Sequence, residues 1–154
     1  MKICIGSDHG GFEMKEHLKK FIEDMGFQVT DMGCYSKDPV DYADIAFLVA
    51  EKVSKDLDSF GVIIDGAGIG SAMTANKVPG VRAAPCYDTY CARNSKEHND
   101  ANVLTMGGRI TGIGVAEEIV KVWLGTPFAG GRHSRRVDKI MAVEKRYLRQ
   151  SCER

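Results

Sequence analysis

The chain has 154 residues, of which 44% are hydrophobic and 27% are charged. This length suits one domain of ordinary size, which can bury a core without disulfides or a structural metal. The 21 basic and 21 acidic residues give zero net charge, which excludes a uniformly basic nucleic-acid-binding protein and an acidic disordered chain. We therefore predict a single domain over residues 1–154.

The charge is unevenly distributed along the chain. Residues 129–154 carry eight basic and three acidic side chains, a net charge of +5, so residues 1–128 carry −5. Such asymmetry is typical of a segment that binds an anionic partner. Aromatic residues hardly interleave with this basic segment, and we therefore expect no nucleic-acid partner.

The cysteines and the apolar segments indicate the cellular setting. The five cysteines are scattered and form no Cys-x-x-Cys pair, which argues against a zinc ribbon and a redox motif. No apolar run is long enough to cross a membrane, and the N-terminus does not resemble a signal peptide. We expect a cytoplasmic protein with reduced cysteines and no membrane partner.

Strand-like and helix-like segments alternate along the chain. Short apolar runs predict strands, and apolar residues at helical spacing predict helices. In chain order these are strand Lys2–Ile5, helix Phe12–Met25, strand Gln28–Met32, helix Tyr42–Val53, strand Gly61–Ile64, a helix ending near Asn76, strand Arg82–Pro85, helix Asp88–Lys96, strand Val103–Met106, helix Ile113–Leu124, and a basic C-terminal helix over about 132–150 whose apolar spacing begins at Val137.

This alternation predicts a doubly wound α/β fold, with a five-stranded parallel sheet, helices on both faces and a further C-terminal helix. In such folds, ligands bind in the crevice beyond the carboxyl ends of the strands. Most of the glycines lie in the loops that follow those ends, and Arg109 ends the last of them. The loops are Gly6–Gly11, Gly33–Asp41, Asp65–Ser71, Cys86–Asp88 and Gly107–Arg109.

The loop Asp65–Ser71 joins a strand to a helix and contains three glycines. Backbone N–H groups in such a loop, together with the helix N-terminus, favour an anion. The loop is neither a Walker A motif nor a complete Gly-x-Gly-x-x-Gly pattern, so a tight turn without a ligand is the alternative. Asp65 follows an apolar strand, where partial desolvation would make it a better proton acceptor. Its alternative role is to cap the following helix.

Two further segments carry polar groups. Asp8 and His9 follow the first strand and could reach a ligand, unless Asp8 caps the next helix. His98 begins a segment of imidazole, amide and carboxylate groups that suits sugar hydroxyls or proton transfer, with an Asx-rich turn as the alternative. However, His98 leads into the amino end of the fifth strand, on the wrong side of the sheet for the predicted crevice. A neighbouring subunit would resolve this conflict.

Arg132 and Arg136 lie four residues apart near the start of the last helix and share one helical face. Two guanidinium groups in this arrangement suit a phosphate, and a solvated basic face is the alternative. The four histidines lack the spacing of metal ligands, so no catalytic metal is expected.

These residues resemble the ribose-5-phosphate isomerase B family, which includes the galactose-6-phosphate isomerase subunits. The resemblance covers about residues 2–150 and implies a Rossmann-like homodimer with sites shared between subunits, and a tetramer as a further assembly. It also implies a metal-free and cofactor-free isomerisation of a small-molecule sugar phosphate, ribose 5-phosphate to ribulose 5-phosphate. The segments that carry it are Ile5–Gly11, Asp41–Tyr42, Gly66–Gly70, Ala75–Arg82, His98–Val103 and Gly130–Arg136.

The resemblance also implies roles for single residues. His98 would open the sugar ring, and the N–H groups of the glycine loop would stabilise a cis-enediolate. Arg132 and Arg136 would bind the phosphate. The other implied substrate contacts are Asp8, His9, Tyr42, Gly66, Ala67, Gly68, Ile69, Gly70, Asn99 and Arg109.

The glycine loop departs from the family pattern. Many members have a cysteine at the position of Asp65 and a threonine at that of Ala67, and another branch has a glutamate at that of Ser71. Our hypothesis is that Asp65 replaces the cysteine as the base that moves the proton between C2 and C1. Alternatively, Asp65 orients the sugar and Ser71 relays the proton.

The missing threonine hydroxyl also leaves the substrate open. The alternatives are a six-carbon sugar phosphate, such as allose or galactose 6-phosphate, and an unphosphorylated rare sugar. A sugar-phosphate-binding module without catalysis is a further alternative.

Overall fold

A computed structural model describes residues 1–152, with side chains through residue 148. Residues 153 and 154 of the predicted domain lie outside this range. All strand pairs are parallel, and the strands form one sheet in the order β2-β1-β3-β5-β4. The strands are β1 (Lys2–Ser7), β2 (Gln28–Asp31), β3 (Ser59–Asp65), β4 (Ala83–Pro85) and β5 (Val103–Gly107).

Helices connect the strands, and a short 3-10 turn over His9–Gly11 precedes the first of them. No helix within residues 1–152 is both long and apolar enough to cross a membrane. The helices are α1 (Phe12–Asp24), α2 (Tyr42–Lys55), α3 (Ile69–Ala75), α4 (Thr89–Glu97), α5 (Ile113–Gly125) and α6 (Arg132–Cys152).

Alternate residues of each strand point to opposite faces of the sheet and build two cores. On one face, Ile5 and Ile64 belong to a core that includes residues of α1, α4 and α5. On the other face, Cys4 and Ile63 belong to a core with residues of α2 and α3. All four side chains are at most 1% exposed. Burial on both faces explains the nearly continuous apolar strands, and the predicted α/β fold class is confirmed.

Some boundaries differ from the sequence prediction. β1 and β3 continue through Ser7 and Asp65, because these polar residues remain paired in the sheet with Ile64 and Gly107, respectively. The C-terminal helix begins at Arg132. This agrees with the predicted start near residue 132, and the apolar spacing begins only at Val137 because the first turn of the helix is polar.

The parallel strands place the ends of β1, β3 and β5 at one edge of the sheet, which we call the carboxyl edge. Backbone hydrogen bonds tie the loops together there. The Gly108 N–H donates to the Asp65 carbonyl oxygen (2.7 Å), and the Arg109 N–H donates to that of Gly66 (3.1 Å). The Asp8 N–H donates to the Ile64 carbonyl oxygen (3.1 Å). Residues distant in sequence thus meet at this edge.

A buried ion pair fixes the end of β2 against α1. Lys15 is fully buried, and its ammonium lies 2.8 and 2.7 Å from the two carboxylate oxygens of Asp31. The Gly33 N–H and the Lys19 ammonium also donate to this carboxylate, both at 2.9 Å. Burial opposes ionisation of Asp31, but the hydrogen bonds from Lys15, Gly33 and Lys19 outweigh it and hold the pKa of Asp31 below its ordinary value.

Asp31→Asn should lower the free energy of unfolding by about 3 kcal/mol at neutral pH, because it leaves the buried Lys15 ammonium without its main counter-charge. The folded-state pKa of Asp31 is depressed. Its contribution to stability is therefore present above the ordinary carboxyl pKa and disappears as the pH falls through the folded-state value. The variant should lose less stability than the wild type over that acidic range. Urea unfolding at a series of pH values measures both effects.

The control for this experiment is Glu51→Gln, which removes the exposed partner of Lys55. Exposed ion pairs contribute little, so this variant should unfold almost like the wild type. Equal destabilisation by the two substitutions would contradict the importance of the buried pair.

Candidate active site

A cleft of about 490 Å³ opens at the carboxyl edge. The loops after β1, β3 and β5 form it, together with the first turns of α2 and α3. The structure therefore brings together polar groups from separate parts of the chain. Nine of the predicted site residues line the cleft: Asp8, His9, Tyr42, Asp65, Gly66, Ala67, Ile69, Gly70 and Arg109.

Asp65 ends β3, lines the cleft and is 4% exposed. Its Oδ1 accepts hydrogen bonds from the N–H groups of Ala67 (3.0 Å) and Gly68. Its Oδ2 accepts from the N–H (2.9 Å) and the hydroxyl of Ser71. The carboxylate therefore caps the start of α3, which is one of the two roles that the sequence left open, while it also faces the cleft.

The same hydrogen bonds affect how the glycine loop can hold an anion. The resemblance implies that the loop N–H groups stabilise an oxyanion, yet those of Ala67 and Gly68 already donate to Asp65. A ligand oxyanion at these two groups would have to share or replace the carboxylate as their acceptor. Asp65 and an oxyanion are thus alternative acceptors for the same donors.

Two glycines of the loop allow close approaches that a side chain would prevent. Gly68 has a φ of +78°, and a Cβ there would lie 2.9 Å from the carbonyl carbon of Met106. A Cβ on Gly70 would lie only 2.4 Å from the ring of Tyr42. The loop can therefore lie against β5 and the Tyr42 ring only because these positions are glycine.

Cationic and imidazole groups also line the cleft. The Arg109 side chain passes over Gly10 and Gly66, where Cβ atoms would lie 3.6 Å from its Nε and 3.7 Å from its Cδ. The Val40 N–H donates to Nδ1 of His9 (3.3 Å), which leaves the hydrogen of the neutral ring on Nε2. Arg109 and His9 can therefore both donate to an anionic group in the cleft.

Asp8 serves as a cap, the alternative role that the sequence left open. Its Oδ1 accepts a hydrogen bond from the Gly11 N–H (3.1 Å), and it is 8% exposed. Asp8 nevertheless lines the cleft while it caps this turn.

Six predicted residues do not line this cleft. Gly68 and Ser71 lie beside it and donate hydrogen bonds to the Asp65 carboxylate. The other four, His98, Asn99, Arg132 and Arg136, lie elsewhere. His98 follows α4, which returns the chain to the amino end of β5. The Asn99 carbonyl oxygen accepts from the Arg82 guanidinium (3.3 Å), and Asn99 lines a separate cavity of about 790 Å³ beside α6. Within one chain, the predicted residues therefore form two separate groups.

The second group is organised around His133, the second residue of α6. The His98 and His133 rings are stacked, with centroids 4.1 Å apart and planes inclined by 7°. The positive charges of Arg132 and Arg136 act on His133 and lower its pKa. The structure thus brings three predicted residues together at a place that the cleft does not include.

Sequence reasoning missed His133, Gly10 and Met73, although the latter two line the cleft. The spacing of the histidines addresses only metal ligands and does not single out His133. Its position beside Arg132 is the signal that could have found it. Met73 lies four residues after Ile69, so the two share a face of α3.

The described cysteines lie outside the cleft. Cys4, Cys34 and Cys86 are buried, and burial raises the pKa of Cys86 to about 11. Burial also raises the pKa of Cys4 and, together with the Asp88 carboxylate, that of Cys91. A thiolate is the reactive form of cysteine, so these three environments disfavour thiol catalysis near neutral pH.

Comparison with known proteins identifies the family. A model of the family described as "Ribose/Galactose Isomerase" matches residues 3–140. The chain belongs to this family. The resemblance to ribose-5-phosphate isomerase B is thereby confirmed, and the curated relatives and a solved structure agree with it.

Two relatives and one structure match almost the whole chain. "Putative sugar phosphate isomerase YwlF" of Bacillus subtilis is 46% identical over 149 residues, which are 96% of this chain and 100% of that protein. Ribose-5-phosphate isomerase B of Escherichia coli is 41% identical over 145 residues, which are 94% of this chain and 97% of that protein. The structure of Clostridium thermocellum ribose-5-phosphate isomerase B superposes with a TM-score of 0.93 at 48% identity, and the match covers 96% of this chain and 99% of that one.

Gly70→Ala should weaken the binding of a sugar phosphate, with ribose 5-phosphate as the probe, about tenfold or more, equal to ~1.4 kcal/mol. The added Cβ would displace the Tyr42 ring from the cleft. Tyr42 is 46% exposed, so its ring can move towards solvent and the melting temperature should change little. Calorimetric titration and thermal unfolding measure the two quantities. The matched control is Gly112→Ala, where a Cβ meets nothing within 4 Å. Unchanged affinity in the Gly70 variant would exclude Tyr42 as a ligand contact.

Proposed function

We propose that the protein is an aldose–ketose isomerase that interconverts ribose 5-phosphate and ribulose 5-phosphate. The observation that carries this proposal is the Asp65 carboxylate, which the loop N–H groups hold at the end of β3 and which faces the cleft. Many members of the family have a cysteine base at this position. Asp65 supplies a proton acceptor in the same place, within a family of sugar isomerases.

In the proposed reaction, Asp65 removes the proton from C2 of the open-chain aldose. The C2–H electron pair forms the C1–C2 double bond, and the carbonyl electron pair moves to O1, which gives a cis-enediolate. Asp65 becomes neutral in this step. The N–H groups of Ala67 and Gly68 can then donate hydrogen bonds to the new oxyanion, because the carboxylate that accepted them is no longer charged.

The reaction is completed by return of a proton from Asp65, either the one taken from C2 or one that the carboxyl group has exchanged with solvent. The proton on O2 first passes to the neighbouring O1, which moves the negative charge to O2. Asp65 then gives its proton to C1, and the O2 electron pair forms the C2 carbonyl, so the carboxylate is restored. The Ser71 hydroxyl, which donates to Asp65, would hold the carboxyl group in position during both steps. The alternative, in which Asp65 orients the sugar and Ser71 relays the proton, uses the same contact.

We further propose that each site is shared between two chains of a homodimer. His98, Asn99, Arg132 and Arg136 lie away from the cleft of their own chain, so a second chain would supply ring opening and the remaining phosphate contacts. His9 and Arg109 would bind the phosphate from the first chain. Exposed apolar side chains at the cleft, with Ile69 53% and Met73 66% exposed, offer a surface that a second chain could cover.

A six-carbon sugar phosphate is the second candidate substrate. Ala67 lines the cleft at the position where many family members have a threonine, so the smaller side chain leaves more space beside the sugar. Comparing kcat/KM for ribose 5-phosphate, allose 6-phosphate and galactose 6-phosphate decides between the substrates. The highest value for a six-carbon compound would overturn the assignment of ribose 5-phosphate.

Asp65→Asn should lower kcat for ribose 5-phosphate by about 1,000-fold, because an amide cannot accept the C2 proton. The measurement is turnover, together with exchange of a ribulose 5-phosphate C1 proton with D₂O, which reports enediolate formation directly. Both should fall in parallel. Asp56→Asn, which changes a carboxylate bound to Lys2 and Ser59, is the matched control and should retain activity.

Two results would contradict the proposal. Turnover and exchange close to wild type in Asp65→Asn would exclude Asp65 as the base. Binding of ribulose 5-phosphate by the wild-type protein without proton exchange would favour a binding module that performs no catalysis.

A further inference from the structure

The His98–His133 stack is more constrained than a surface contact. The rings are nearly parallel at 4.1 Å, and His133 is 6% exposed. Nδ1 of His133 is buried without a hydrogen-bond partner within the part of the chain whose side chains are described. In contrast, Nδ1 of His98 is 3.0 Å from the side-chain amide of Asn94, and the His98 side chain is 38% exposed. His98 is thus held on one face by His133 and along one edge by Asn94, while its Nε2 lies 3.9 Å from a Glu97 carboxylate oxygen on a partly exposed edge.

The surroundings of His133 keep its ring neutral. Burial lowers the pKa of His133 below its ordinary value, and positive charge on His98, Arg132 and Arg136 lowers it further. Glu97 is the nearby group that acts in the opposite direction. A second positive charge directly against a protonated His98 would also be unfavourable. These surroundings therefore favour the uncharged form of the His133 ring that stacks on His98.

We propose that His133 is a positioning residue for His98: its stacked ring fixes the plane of the His98 imidazole, and it neither transfers protons nor binds the phosphate. This inference rests on the proposed function, in which His98 opens the sugar ring. The buried and unpaired Nδ1 supports it, because this nitrogen has neither a partner nor access to solvent and therefore neither binds a phosphate nor carries a proton. Ring stacking needs neither.

The chemistry of the two sugars separates ring opening from proton transfer. Ribose 5-phosphate is a closed ring in solution and must open before C2 can lose its proton. Ribulose 5-phosphate cannot close the corresponding ring, because its O5 carries the phosphate. Its proton exchange with D₂O therefore requires Asp65 but no ring opening. A residue that acts only through His98 should affect the turnover of ribose 5-phosphate and leave the proton exchange of ribulose 5-phosphate unchanged.

The experiment compares His133→Ala with His133→Phe. The Ala variant removes the stacked ring and should lower kcat for ribose 5-phosphate by roughly 100-fold, as misplacement of a reacting group does. KM for ribose 5-phosphate and proton exchange of ribulose 5-phosphate should stay within about twofold of the wild type. The Phe variant keeps a flat uncharged ring, so it should restore kcat to within about threefold and keep the wild-type pH profile.

Folding and surface effects have their own controls. The Phe variant replaces a buried nitrogen that lacks a partner, so its thermal stability should equal or exceed that of the wild type. His17→Ala removes an exposed histidine that pairs with Glu117 outside the cleft, and it should leave every kinetic parameter unchanged.

Three results would overturn the inference. If the Ala and Phe variants both show a raised KM, His133 binds the phosphate. If the Phe variant is as slow as the Ala variant and its pH profile changes, His133 carries a proton. If both variants turn over ribose 5-phosphate like the wild type, the stack has no role in ring opening. Absence of both turnover and exchange in the wild-type protein would instead refute the proposed isomerase function, and the inference with it.

Discussion

Parallel pairing of all five strands is the constraint on which the organisation of the site depends. It gives the sheet one edge where strands end and another where they begin. The cleft with Asp65 lies at the first edge. His98 follows a helix that returns to the second, where it joins Arg132 and Arg136 around His133. One chain therefore contains all the predicted groups but does not bring them together.

The Asp65 carboxylate has two functions that are chemically related. As a cap it accepts hydrogen bonds from the N–H groups of Ala67, Gly68 and Ser71. As the proposed base it takes a proton and becomes neutral, and the negative charge appears on the enediolate. In both states these donors face one negative charge, so little reorganisation accompanies proton transfer. Such preorganisation is the main source of electrostatic catalysis in enzymes. The substitution of a cysteine by Asp65 is therefore compatible with the family's chemistry.

The sequence predicts the strands and the carboxyl-edge loops well, because strands buried on both faces are almost continuously apolar and glycines mark the loops. It could not choose between capping and catalysis for Asp65, since both roles need a carboxylate at the same position. It also could not predict that Lys15 is buried, because lysine is almost never buried unless paired, and its partner Asp31 comes from another element. The stack of His98 on His133 joins residues 35 positions apart and depends on how α6 packs.

Mixing two inactive variants tests most directly whether the two groups act together across chains. Asp65→Asn and His98→Asn proteins are unfolded together in equal amounts and refolded, and turnover of ribose 5-phosphate is measured. Half of the resulting dimers contain one chain of each kind, and each has one intact site and one doubly substituted site. The account predicts recovery to about a quarter of wild-type activity. No recovery, with mixed dimers shown to have formed, would contradict a site shared between two chains.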